Sequence, residues 1–303
     1  MGAFTAPHVT ADHTRPPSGP PRPGSAATSE PVGQNPPMQQ ICDDLAAEHA
    51  ALDAVVADLS EERWRTPTPA EGWDVAATIV HLLQADLAAH QAVTDPAGFE
   101  AGKADMLSGR RSLDSAYGNP AGRSGAEVLE WWRESRTKML DAFRPLGPKD
   151  RIPWFGPPMS ALSFATARLM ETWSHGQDVA TAVGRRIEPT DRLRHVCHIG
   201  VTTRGWSYAN RGQTPPPGDV RVELASPSGQ LWTWGPAEAT DRVEGTALDF
   251  CLVTTQRRLL ADTALRCRGD LARDWMERAQ AFAGPPTDTD PSRGGLPTNH
   301  SDA

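Results

Sequence analysis

Arg168-Leu169-Met170-Glu171-Thr172-Trp173-Ser174-His175-Gly176-Gln177-Asp178-Val179-Ala180 is the stretch on which the fold of this 303-residue chain turns. Arg168, Glu171, His175 and Asp178 follow one another at steps of three, four and three, so on an α-helix they form one polar stripe. The other positions of that helix include Leu162, Phe164, Leu169, Met170 and Trp173, which call for a core. Such a stripe faces solvent or lines a polar cavity. Glu171 and His175, four residues apart, project from one face and can grip one ion between them, although the same spacing is common in solvated helical pairs.

His81, ninety residues before Glu171 in Ile79-Val80-His81-Leu82-Leu83, would complete a set of two imidazoles and one carboxylate. Three protein ligands leave the fourth position of a tetrahedral zinc open, the mark of a catalytic rather than a structural site. On the His81 helix, Val75, Ile79, Leu82 and Leu83 make the apolar stripe, while His81 shares its side with Ala77, Thr78, Ala85 and Ala88. Small neighbours leave room beside an imidazole. The plainer fate of a single histidine on a helix is half-burial with one hydrogen bond.

Composition bounds the function classes. Hydrophobic residues make up 38% of the chain, enough for a sizeable core, and no run of about 18 apolar residues is present to span a membrane. The net charge is −8, and only Lys103, Lys138 and Lys149 among the 30 basic residues are lysine, a balance that argues against a general nucleic-acid surface. Cys42, Cys197, Cys251 and Cys267 form no Cys-x-x-Cys pair and read as thiols of a reducing compartment, the cytoplasm.

Residues 1–37 are rich in Pro, Gly, Ser and Thr without apolar periodicity and are expected to be disordered; residues 285–303 share that character. No apolar core of a secretory signal is present, and Met38, where the first helical pattern opens, is a position at which translation could start. Between the tails, helices are expected over Ile41–Leu59, from the N-cap Asp74 to about His90, over Gly125–Phe143, and from the cap Ser160 to about Val183. Two long connections, one through Gly98 and Ser108 and one over Pro145–Pro158, join them. The fold class expected is α plus α+β: a four-helix bundle over 38–187, then a small α+β domain with a leading helix over 188–284. That second part should hold a helix from Thr190 through Trp206, strands Val220–Leu224 and Leu231–Trp234 around the turn Ser226-Pro227-Ser228-Gly229, and helices over Gly245–Asp262 and Asp270–Phe282.

Other candidates carry less. His195 and His198 stand at helical spacing but lack a neighbouring carboxylate or Cys-x-x-Cys in sequence, and Trp131-Trp132 reads as core. Arg257-Arg258 is either an anion contact or a solvated helix end. Asp178 can accept the second ring proton of His175 and fix its metal-binding tautomer, or it can pair with an arginine.

The run Arg168–Ala180, together with Trp73-Asp74 and His81, resembles the mycothiol-dependent maleylpyruvate isomerase-like proteins of the DinB/YfiT-like metal-binding superfamily, over roughly Met38 to Pro286. The resemblance implies a divalent metal, zinc foremost, on His81, Glu171 and His175. It implies mycothiol or a related thiol as cosubstrate, and isomerisation or S-transfer on a small electrophilic substrate. It also implies a second domain related to sterol-carrier-type folds. Cationic partners for a carboxylate-bearing substrate would be Arg168, one turn from Glu171, and Arg257 or Arg258 from the second half. The alternative is a non-catalytic metal-binding or small-ligand-binding protein in which the metal braces the bundle.

Overall fold

The structure, a computed structural model, describes residues 37–284; the disorder expected before and after them lies outside the described residues. Helix α1 (Pro37–Val56) buries Ile41, Leu45, Leu52, Val55 and Val56 at helical spacing and stops short of the expected Leu59. Asp74 caps α2 (Val75–Thr94), its Oδ1 accepting the Ala77 amide at 2.7 Å. The connection expected through Gly98 and Ser108 is itself helical. Asp95 accepts the Gly98 amide and Pro96 fills the first position, opening α3 (Pro96–Leu107), which is followed by the short α4 (Leu113–Tyr117).

Helix α5 (Gly125–Phe143) starts on a capping box in which Ser124 and Glu127 satisfy each other's amides. A two-residue ladder then pairs β1 (Arg151–Ile152) with β2 (Met159–Ser160) inside the loop expected over Pro145–Pro158, before α6 (Ala161–Ala182) begins on its cap Ser160. The four long helices pack as α1 on α6 and α2 on α5, with α1–α5 and α2–α6 contacts closing the group. One apolar cluster joins Val56, Ile79, Leu82, Trp132 and Val179. A second runs from Leu45, Phe143 and Trp173 on into the following half through Val196, Phe250 and Trp275.

In that half the expected leading helix is broken at Thr203 into α7 (Leu193–Thr202) and α8 (Arg204–Ala209). The hairpin β3 (Val220–Ala225) and β4 (Leu231–Trp234) forms around the expected turn. Two further strands extend it into a sheet of order β4-β3-β5-β6: β5 (Asp241–Thr246), parallel to β3, and β6 (Arg266–Arg268), antiparallel to β5. The helix expected over Gly245–Asp262 is thereby shortened at both ends to α9 (Ala247–Thr254), since Gly245 belongs to β5. The last helix, α10 (Asp270–Arg278), also ends before the expected Phe282. The fold is mixed helical with small sheets, and no helix among the described residues is long and apolar enough to cross a membrane. The four cysteines are free thiols, with Cys197 Sγ 3.4 Å from Cys251 Sγ.

A buried-edge ion pair ties α1 to α5. Asp53 accepts from Arg133 Nη2 at 2.8 Å and Arg136 Nη2 at 2.6 Å, and these partners, Arg133 foremost, hold its carboxyl below the usual aspartate range. A depressed folded pKa contributes stability above the ordinary aspartate value near 3.8 and loses it as pH falls through the folded value. Asp53→Asn should therefore cost about 1 kcal/mol at pH 7, a cost that shrinks in denaturant titrations run progressively below pH 4.

Candidate metal centre

Helix α2 supplies His81 and α6 supplies Glu171 and His175; the two helices run antiparallel, since His81 meets Glu171 while Asp86, further along α2, meets Arg168, further back on α6. One ligand atom from each lies within 4.8 Å of the others. His81 Nε2 is 3.7 Å and His175 Nε2 3.6 Å from the same carboxylate oxygen, Glu171 Oε2. Trp73, fixed just before the α2 cap by its own amide bonded to Ala70 and its carbonyl to Thr68, closes one side. Its ring centre is 4.8 Å from that of His81 and 5.7 Å from that of His175, near-parallel to the latter at 24°.

Behind His175 stands Asp178, one turn along α6, with its Oδ2 3.2 Å from His175 Nδ1. The same carboxylate accepts from Arg257 Nη2 at 2.8 Å and Nε at 3.2 Å. Asp178 thus contacts both His175 and an arginine, the two partners that the sequence left open. Arg257 reaches α6 because α9 ends in a Schellman turn: Gln256 adopts φ +58°, its amide bonds Val253 O, and the Arg257 amide bonds Leu252 O.

The electrostatics follow from this packing. Burial alone would raise the Glu171 carboxyl, but hydrogen bonds and charge from His175 and His81 hold it well below the usual range. Burial likewise opposes ionisation of Asp178, yet Arg257 and His175 bring it down to about 2. Burial pushes the His81 imidazole down; at His175 burial is outweighed by Asp178 and Glu171, which push it up. Two imidazoles and a carboxylate with convergent atoms, one ring anchored through its far nitrogen, are a donor set that fits a divalent cation. Asp178→Asn should weaken metal affinity by about 10- to 100-fold without removing a ligand, as read by competition against a chelator of known affinity.

Residues 45–180 match the sequence family described as mycothiol maleylpyruvate isomerase N-terminal domain. An uncharacterized protein of Mycobacterium tuberculosis, found in two strains, is 47% identical over 244 residues, covering 80% of this chain and 95% of that protein. The chain belongs to the mycothiol maleylpyruvate isomerase-like family. The match to the isomerase-like domain includes His81, Glu171, His175 and Asp178 and stops before Arg257. Residues 216–266 match a second family, described as wyosine base formation. Two crystal structures, of the mycothiol-dependent maleylpyruvate isomerase and of a histidine-to-alanine mutant of it, align with a TM-score of 0.46 each. Their identities are 14% and 13%, and each alignment covers 71% of this chain and 88% of the other.

The other residues singled out within this isomerase-like chain fall in different places. Arg257 lines the same cleft as the three candidate ligands. Arg168, expected to meet a substrate carboxylate, also borders that cleft but is almost wholly buried, and its Nη2 and Nε donate to Asp86 Oδ1 at 2.9 and 3.2 Å. The apolar environment between α2 and α6 explains this, since an unpaired guanidinium there would be costly. Arg258 is exposed and outside the cleft lining. His195 finds a carboxylate after all, on another helix: its Nε2 is 2.9 Å from Asp44 Oδ2. Sequence reasoning missed Asp86, although an acid within Leu82-Leu83-Gln84-Ala85-Asp86-Leu87 signals a buried partner, and it missed Trp73 as a wall of the site.

Proposed function

We propose that the chain is a divalent-metal enzyme that uses a low-molecular-weight thiol, mycothiol foremost, for isomerisation or S-transfer on an electrophilic substrate. The observation that carries this reading is the convergence of His81, Glu171 and His175 from two helices at one point of a cleft. These three would hold the ion, and zinc suits the set best. When bound, the ion would supply the positive charge that keeps a thiol deprotonated near neutral pH.

The chain's own residues prepare that chemistry. Asp178 holds a proton on His175 Nδ1 and so presents Nε2 as the lone pair. Arg257 orients Asp178 and brings a cation to the cleft wall, where it can meet an anionic substrate group. Trp73 excludes water from one flank. Arg168 acts through Asp86 on the spacing of α2 and α6, while Arg258 would have to swing in from the surface. On this reading residues 38–187 are a DinB-like four-helix bundle, residues 188–284 an appended α+β domain that delivers Arg257, and the protein works in the cytoplasm.

A second reading, a non-catalytic metal- or ligand-binding protein, draws support from the cleft, which extends well beyond the three ligands. Calorimetric titration of mycothiol into the zinc-loaded protein separates the two. Thiol binding to wild type, lost in a folded His81→Ala variant, supports the enzyme. No thiol binding, with metal removal unfolding the helices, supports the second reading.

A further inference from the structure

The cleft that contains the His/Glu/His group has a volume of about 1810 Å³. A pocket for one small molecule is commonly about 300–1,000 Å³. Beyond the metal group its floor is the groove between antiparallel α2 and α6, where Ala85 and Ala88 of α2 and Ala167 of α6 line the cavity. Seven residues separate His81 from Ala88, which at about 1.5 Å per residue makes a trough about 10 Å long. Phe164, seven residues before Glu171 on α6, lies the same distance along the opposite wall. With Trp154, whose ring centre is 4.6 Å away, and Phe155 it forms an aromatic end.

Gln84 and Thr166 along this trough have their donors engaged by the protein. Gln84 donates to Asp114 Oδ1 at 2.7 Å and to Gly118 O at 3.2 Å, and Thr166 donates to Leu162 O at 2.7 Å. A sugar or peptide lying there would find no free donor on Gln84 or Thr166, whereas an alkyl chain needs none. The metal end differs. Ser174 Oγ, buried and lining the cleft, has no protein hydrogen-bond partner, and Arg257 brings a positive charge.

We propose that the substrate is amphipathic: a polar, electrophilic head at His81, Glu171 and His175, and an unbranched apolar chain lying over Ala85, Ala88 and Ala167 toward Trp154 and Phe164. The position of the head rests on the proposed function; the apolar chain rests on the trough itself. Hexanoate, octanoate and decanoate titrated calorimetrically into the full chain test it, with metal content measured on the same samples. Wild type should bind about fourfold more tightly per added methylene. That dependence should flatten in Ala85→Trp and in Ala167→Leu, both checked for folding by circular dichroism, and persist in His81→Ala. A flat series in wild type, or an unchanged slope in both filled variants, overturns the trough. Metal missing from wild type with the slope intact overturns the metal reading and leaves the trough standing.

Discussion

Glu171→Gln leaves the helices folded and lowers divalent-metal affinity by more than about a hundredfold, beyond the range of an outer-sphere change such as Asp178→Asn. The Glu171 carboxylate is the one negative charge between two imidazoles, each Nε2 within 3.7 Å of its Oε2. An amide keeps the shape but removes the charge and points either a weak oxygen or a donor nitrogen at the same place. Its side chain is only partly buried, so the unfolding free energy should change by about 1 kcal/mol or less. Chelator competition and denaturant unfolding on the same samples check both halves. Retained affinity would remove Glu171 from the ligand set, and a collapse in stability would make it a structural residue instead.

Asp86→Leu and Arg168→Met, made singly, should each cost about 3–5 kcal/mol, because each strands a buried charge. Asp86 is 0% and Arg168 3% exposed, and Asp86 also accepts from Trp132 Nε1 at 3.3 Å. Burial pushes the Asp86 carboxyl up despite the pull of Arg168, so the pair is a poor source of net stability and is needed chiefly because each half neutralises the other. The double variant Asp86→Leu/Arg168→Met should accordingly recover most of the loss. Urea unfolding of all four proteins measures the coupling. The pair also bridges the helices that carry His81 and Glu171, so the double variant, stable but without the bridge, should bind metal more weakly than wild type. Single variants within about 1 kcal/mol of wild type would show that the pair is not isolated from water.

Much of this arrangement is legible in the sequence because its signals are local. The caps Asp74 and Ser160, the box Ser124/Glu127 and the uninterrupted stripe from Arg168 to Asp178 each fix a helix start or a facing side within a few residues. The same kind of signal stood at Asp95-Pro96, yet Gly98 and Ser108 led to a loop reading where α3 forms. Strand β5 was hidden because its short Arg242-Val243-Glu244 alternation runs straight into the apolar residues of α9, and only pairing with β3 reveals it. The α9 end was hidden differently, since a glutamine rather than a glycine takes the left-handed position. Partners 79 to 82 residues apart, Arg257 with Asp178 and Arg168 with Asp86, have no local trace at all. For that reason the stripe shows that Arg168, Glu171, His175 and Asp178 share one side of α6, three of them lining the cleft, but not that the Arg168 guanidinium is engaged by Asp86 of α2.

Elemental analysis of untagged protein, wild type beside His81→Ala and His175→Ala, tests the His81/Glu171/His175 centre most directly. About one divalent ion per chain in wild type and almost none in either variant is the expected result. A wild-type protein that holds no metal after reconstitution, or variants that retain it in full, would contradict the assignment.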